Sequence, residues 1–174
     1  DLHLEHRRQR QMCTRDRHMT HHIIKNTRLD WLNNGYNCFL IRHPAKVINS
    51  YIKKNNLLSI DDIGFKKQYE IFNMIKKDKI KYLVVNADTI LQDPLKTLKK
   101  LCKILKIRFT KKMLSWPKGK RSSDGIWSTV WYKNVELSNT FSKYKKEKYY
   151  VPKKYNDIYE ESLKYYNEMN QYSI

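Results

Sequence analysis

An α/β fold with a mostly parallel sheet flanked by helices is predicted by three features of this chain. Two short apolar runs, Cys38 to Ile41 and Lys81 to Val85, have the length of buried strands. A helix pattern opening on proline follows each, at Pro44 and at Pro94. The helix patterns carry apolar residues on one face only, so each needs a sheet or another helix to cover it.

The elements follow in order. Met19 to Ile24 reads as the end of a strand, and Leu29 to Asn34 as a short helix or turn closed by Asn34-Gly35. Cys38 to Ile41 is a core strand and Ala45 to Lys54 its helix. Asp61-Asp62 opens a helix whose Phe65, Tyr69, Phe72 and Ile75 share a face. Lys81 to Val85 is the next strand. Asp93 is a good N-cap with Pro94 at the first helical position, and Leu95, Leu98, Leu101, Cys102 and Leu105 form the stripe behind it. A last helix, about Lys153 to Asn170, carries Tyr155, Tyr159, Tyr166 and Met169. The Lys-rich stretch Lys143 to Tyr150 reads as a surface loop, a solvated charge run and not a site. The sequence contains no repeats and no Gly/Ser linker.

Composition bounds the function. The 174 residues fit one domain with a real core. The net charge is +19, mostly from lysines spread along the chain, and fits attraction to a polyanionic donor or acceptor as well as codon bias. Cys38 and Cys102 lie in apolar runs and read as small buried hydrophobes, without C-x-x-C spacing or a metal-like cluster. A disulfide framework is therefore not expected, which points to a reducing, cytoplasmic compartment. No run of about 18 apolar residues exists, so no membrane span is expected, although a lost amino terminus could have carried a signal or anchor.

The most informative segment is Asn37 to Tyr51, NCFLIRHPAKVINSY. Arg42 closes the strand and Ser50 follows eight residues later, in the helix. Ligand crevices of parallel sheets lie off the carboxyl ends of the strands. An arginine there offers a fixed fork of donors suited to phosphate; the other reading is a salt bridge to a neighbouring helix. This segment resembles the 3′-phosphate-binding segment of sulfotransferases that use 3′-phosphoadenosine 5′-phosphosulfate. Tyr82 to Pro94, YLVVNADTILQDP, is similar to the later strand and acidic-Pro helix start of that family. Ser115 to Trp127, SWPKGKRSSDGIW, is similar to its C-terminal Lys-Gly…Gly-x-Trp loop. Three such segments stand in the family's order, and the resemblance covers roughly residues 18 to 174.

The resemblance implies a P-loop NTPase-like sulfotransferase fold, the activity and the roles of residues. Arg42 and Ser50 would contact the donor's 3′-phosphate, with Lys118 and the Gly119 amide completing the clamp. Pro117 stands where the family has an Arg before that pair. Trp116 and Trp127 flank the loop and are candidates to pack on adenine; core packing is the other role open to them. Asn86-Ala87 replaces the family's usual Tyr near the adenine. Met19-Thr20-His21 occupies the place of the family's Lys-Thr-His, so His21 is the candidate base and His22 the alternate. Imidazole suits proton abstraction from a hydroxyl near neutral pH. The alternative for His21 and His22 is a pair of surface or metal-binding side chains. No metal is implied. The acceptor would be a small molecule or a carbohydrate, with a lipid or peptide also open, and neither a specific nucleic acid nor an oligomeric state is indicated.

The family's phosphosulfate loop is not found. Gly35, Gly64, Gly119 and Gly125 are the four glycines, and none lies in a G-x-x-x-x-G-K-[ST] pattern. Arg7 to Asp16, RRQRQMCTRD, resembles a translated sequencing-library adapter, with Thr14 where the adapter would encode Ile. Residues 1–17 are thus expected to be a non-native tail replacing the first strand and donor loop, the other reading being a basic arm. Residues 18–174 would be the carboxy-terminal part of the domain, inactive alone. Two rival classes are a phosphoryl-transferring P-loop kinase, which needs a Walker loop and a Mg²⁺-holding carboxylate, and a basic nucleic-acid-binding module using tyrosine stacking.

Overall fold

The computed structural model describes residues 18–20, 23, 27–121, 132–146 and 148–174. Two strands form its sheet among these residues: β1, Asn37–Ile41, and β2, Tyr82–Asn86. They run parallel, with Asn37 opposite Tyr82 and Ile41 opposite Asn86. The helices are α1 (Pro44–Tyr51), α2 (Phe65–Lys77), α3 (Ala87–Gln92), α4 (Pro94–Leu105), α5 (Lys133–Glu136) and α6 (Asn156–Asn170). The expected α/β class with a parallel sheet is borne out.

Sequence explains most of the boundaries. His43 caps α1, its Nδ1 accepting the Ala45 N–H at 3.4 Å, and Pro44 takes the first helical position. The Asp93 carboxylate accepts the Lys96 N–H at 2.9 Å, and Pro94 starts α4. Helix α1 stops at Tyr51, short of the expected Lys54. The acidic pair near residue 61 opens a short 3-10 turn, Ile60–Ile63, and not α2 itself. Ser59 and Asp62 form a reciprocal capping box there. Gly64, at φ 69°, then turns the chain into α2, a conformation that favours glycine. The final expected helix is likewise split, into a 3-10 turn Lys153–Tyr155 and α6. Of the segment read as a strand end, Met19 to Ile24, residues 21, 22 and 24 lie outside the described residues, and the Ile23 amide donates to the Thr20 carbonyl at 3.1 Å.

One sheet face carries the core. Phe39, Ile41 and Val84 pack with Phe65, Phe72 and Ile75 of α2 and with Tyr166 and Met169 of α6. The Phe72 ring meets Phe39 edge-on at 5.7 Å and Tyr82 at 5.3 Å. On the opposite face of β1, Cys38 and Leu40 are exposed, Leu40 by 59%. The expectation that Cys38 is buried is therefore corrected. Only one face of β1 is covered by the described residues, so the side chains alternate in burial as a strand's two-residue period dictates. The chain's last residues return to the sheet: Ser173 bridges Val84 in parallel, and the Ile174 N–H donates to the Val84 carbonyl at 3.1 Å.

Candidate functional site

The register of the sheet sets the site. Because Ile41 faces Asn86, Arg42-His43 and Ala87-Asp88 leave the sheet side by side at the carboxyl end of both strands. That end is where parallel sheets open a ligand crevice. Arg42 is exposed there, and no carboxylate among the described residues pairs with it. Ser50 is also exposed, near the end of α1.

Beside Arg42 lies a polar cluster that the sequence did not reveal. Lys46 Nζ of α1 meets Asp88 Oδ1 of α3 at 2.7 Å, with side chains only 13% and 11% exposed. The Tyr149 hydroxyl donates to the other Asp88 oxygen at 3.3 Å. The Tyr149 ring stacks on His43 at 3.7 Å between centroids and 10° between planes. Tyr166 meets the same imidazole edge-on at 5.4 Å. Asn86 fixes the base of the cluster: its amide donates to Tyr166 Oη at 2.9 Å and to Asn170 Oδ1 at 2.8 Å, while its carbonyl oxygen accepts the Asp88 N–H at 2.9 Å. Lys46 also lies over the rings of Tyr144 and Tyr149, 5.6 and 5.7 Å from their centroids.

This environment shifts two groups. Burial lowers the His43 imidazole below its usual value of 6.5, against a smaller opposing pull from Asp88, with Lys46 adding to the lowering. Burial and then the Asp88 carboxylate push the Tyr149 hydroxyl up to about 12. Both shifts favour the uncharged form of the ring concerned. The segment read as a solvated loop, Lys143 to Tyr150, is thus corrected in part. Two of its tyrosines rest on the cluster, and the Tyr150 carbonyl accepts from the Asn49 amide at 2.7 Å. The signal available in the sequence was the pair of tyrosines, 144 and 149, within the lysines.

The Lys-Gly loop is placed separately. Lys118 and Gly119 are both exposed, and Gly119 has φ 100°, which a side chain would strain. The Gly119 N–H donates to the Glu136 carbonyl at 2.8 Å. Trp116 is half-buried, its indole N–H donating to Ser138 Oγ at 3.2 Å and its ring set edge-on to Phe141 at 5.3 Å. His21, His22 and Trp127 lie outside the described residues. Among the described residues, no three His, Cys, Asp or Glu side chains gather closely enough to hold a metal ion. No helix among them is long and apolar enough to cross a membrane.

Comparison with known proteins bears on this arrangement. The sulfotransferase domain family matches residues 4–173. Branched-chain-amino-acid aminotransferase-like protein 1 of Arabidopsis thaliana is 33% identical over 136 residues, and the like-named protein 2 is 29% identical over the same length. Each alignment covers 78% of this chain and 24% of the relative, so the chain spans about a quarter of the length of these curated relatives. No solved structure matches. A match over nearly the whole chain, with Arg42 at the strand end of a parallel sheet, means that this chain belongs to the sulfotransferase domain family.

Proposed function

We propose that the full protein transfers a sulfuryl group from 3′-phosphoadenosine 5′-phosphosulfate to a hydroxyl or amine of a small-molecule or carbohydrate acceptor. The observation that carries this reading is Arg42. It is an exposed guanidinium, unpaired with any carboxylate of the described residues, at the carboxyl end of two parallel strands in a chain of this family. An arginine in that position can fork onto a phosphate without first breaking an ion pair. Ser50 adds a hydroxyl donor from α1. Lys118 adds a mobile positive charge. Gly119 contributes its N–H by exchanging the Glu136 carbonyl for the anion. Trp116 and Trp127 remain proposed adenine contacts, with Trp116 already committed in part to Phe141 and Ser138.

In the reaction, the bond from sulfur to the donor's phosphate oxygen breaks as the acceptor oxygen or nitrogen bonds to sulfur. The acceptor proton passes to His21, with His22 as the alternate base, and adenosine 3′,5′-bisphosphate leaves. The donor's phosphosulfate would sit on a strand and loop of the P-loop type, ahead of β1. Among the described residues, Cys38 and Leu40 leave one face of β1 open, as P-loop-type sheets covered on both faces do not. The protein is read as cytoplasmic.

The test is ligand binding by the full-length protein. Arg42→Ala should weaken binding of adenosine 3′,5′-bisphosphate by about 2 kcal/mol, the scale of a charge-assisted bond, and leave AMP nearly unchanged. Equal losses for both ligands would remove the 3′-phosphate assignment.

A further inference from the structure

Helix α4 and the loop after it carry charge of one sign only. Residues 94–121 contain eleven Lys and Arg and no Asp or Glu. Within α4, Lys96, Lys99, Lys100 and Lys103 are all exposed. At 3.6 residues per turn they fall within an arc of about 100° that holds no other residue of the helix. Lys106 continues the run at the helix end, followed by exposed Arg108, Lys111 and Lys112. None of these eight side chains forms an ion pair with the described residues; the Lys99 ammonium lies over the Phe109 ring, 5.8 Å from its centroid. The helix dipole accounts for cations only in the last turn, at Lys103 and Lys106, and not for Lys96, Lys99 or Lys100.

We propose that this lysine face of α4 docks a linear acidic polysaccharide, the acceptor on which the sulfuryl-transfer reading would act. The inference rests on that reading for the identity of the polymer. Sulfuryl transfer requires a nucleophilic hydroxyl or amine, and the face requires negative charge repeated along a line. A polymer of sugar acids supplies both, with one carboxylate and several hydroxyls on each ring. The lysines advance along the helix by about 5 Å per turn, so the charge row is a straight track and not a single phosphate pocket. Lysine, a point charge without arginine's planar fork, suits such contacts.

Two other polyanions fit less well. Single-stranded nucleic acid is held by aromatic stacking as well as charge, and the arc contains no aromatic residue. A surface-seeking membrane helix turns its apolar side to the lipid. Here that side faces the protein, where Cys102 is buried and its Sγ lies 3.8 Å from Met113 Sδ. The docking also has a chemical consequence. Each transfer adds a negative charge to the acceptor, so product would be held more tightly than substrate.

The experiment measures binding of the whole chain to polygalacturonate, with uncharged dextran, a single-stranded RNA and phosphatidylserine vesicles alongside, over a range of salt. Lys96, Lys99, Lys100 and Lys103 are changed together to Gln. A matched variant changes Lys66, Lys77, Lys79 and Lys81, which are exposed on or just after α2. The α4 variant should weaken polygalacturonate binding about tenfold or more and flatten the salt dependence by about one ion per lysine, with little change in the matched variant. The paired variants Lys96/Lys100→Gln and Lys99/Lys103→Gln should each give part of that loss, and they carry the test if the fourfold variant does not fold. Equal losses in both sets would mean diffuse charge and overturn the proposal. So would tighter binding to RNA or vesicles than to polygalacturonate, or no binding to it. No donor enters this assay, so its failure is separate from a failure of the Arg42 test.

Discussion

Asp88 meets two demands with one nearly buried carboxylate and a third with its backbone N–H. It neutralises Lys46, accepts from Tyr149, and opens α3 with its own N–H held by Asn86. Removing one partner from a buried pair leaves the other charge stranded, which costs more than the pair contributes. Asp88→Ala should therefore destabilise the fold by about 3 kcal/mol, read from urea unfolding. Replacing Lys46 and Asp88 together by Met and Leu should recover most of the loss. A double variant as unstable as the single one would mean that the damage lies in Tyr149 or the α3 start. His43 gives the cluster a pH response. Its folded value is lowered, so between that value and 6.5 the unfolded chain binds more protons and stability rises with pH. Stability should be full above about pH 6.5 and fall as the pH drops below it, a slope that His43→Gln should reduce. An unchanged slope in the variant would exclude His43 as its source. The places of Arg42 at the strand end and Ser50 in α1 were legible because their spacing is local. The Lys46–Asp88 pair was not, because its members are 42 residues apart and only the register of the sheet joins them.

At the scale of elements, α6 holds the fold together while carrying one defect. It packs Tyr166 and Met169 into the core, and its Ser162 is fully buried, with no partner for the hydroxyl among the described residues. An unpaired buried hydroxyl costs about 1–3 kcal/mol, and alanine is the better helix former. Ser162→Ala should stabilise the chain by about 1 kcal/mol and raise its melting temperature. A lower melting temperature would mean that the hydroxyl has a partner after all. The four longest described helices, α1, α2, α4 and α6, were read from the sequence because their apolar spacing and proline starts are local signals, whereas the short α3 and α5 were not read. The spacing of Phe65, Phe72 and Ile75 reaches the core as expected. The boundaries moved where backbone geometry decided them, as at Gly64, whose left-handed turn separates a capped 3-10 turn from α2. The exposed face of β1 was missed for a different reason. A short apolar run gives the strand but not the number of faces that are covered.

Over the whole molecule, charge is the least compensated quantity. Thirty-six Lys and Arg face seventeen Asp and Glu, and three ion pairs join described residues to one another. One of the three, Arg28 with Asp30, is almost fully exposed and contributes little. The compact state gathers like charges that the unfolded chain can separate, so self-repulsion should work against folding. Raising ionic strength from about 0.01 M to about 0.15 M shortens the screening length from about 30 Å to about 8 Å. That range spans the distances between surface lysines but barely touches the enclosed Lys46–Asp88 contact. Melting temperature should therefore rise by several degrees over this range in sodium chloride. Asp88→Ala should start lower and rise by a similar amount, because the buried pair is not what the salt acts upon. Sodium sulfate at matched ionic strength separates two causes. Equal rises mean screening of diffuse charge, whereas a larger rise in sulfate means preferential stabilisation by that anion, through binding at Arg42 and its neighbours or through surface exclusion. Arg42→Ala distinguishes these, since it removes a bound sulfate and leaves exclusion intact. A melting temperature that stays flat or falls in chloride would show that the cations are neutralised within the fold, against the sparse ion pairing described.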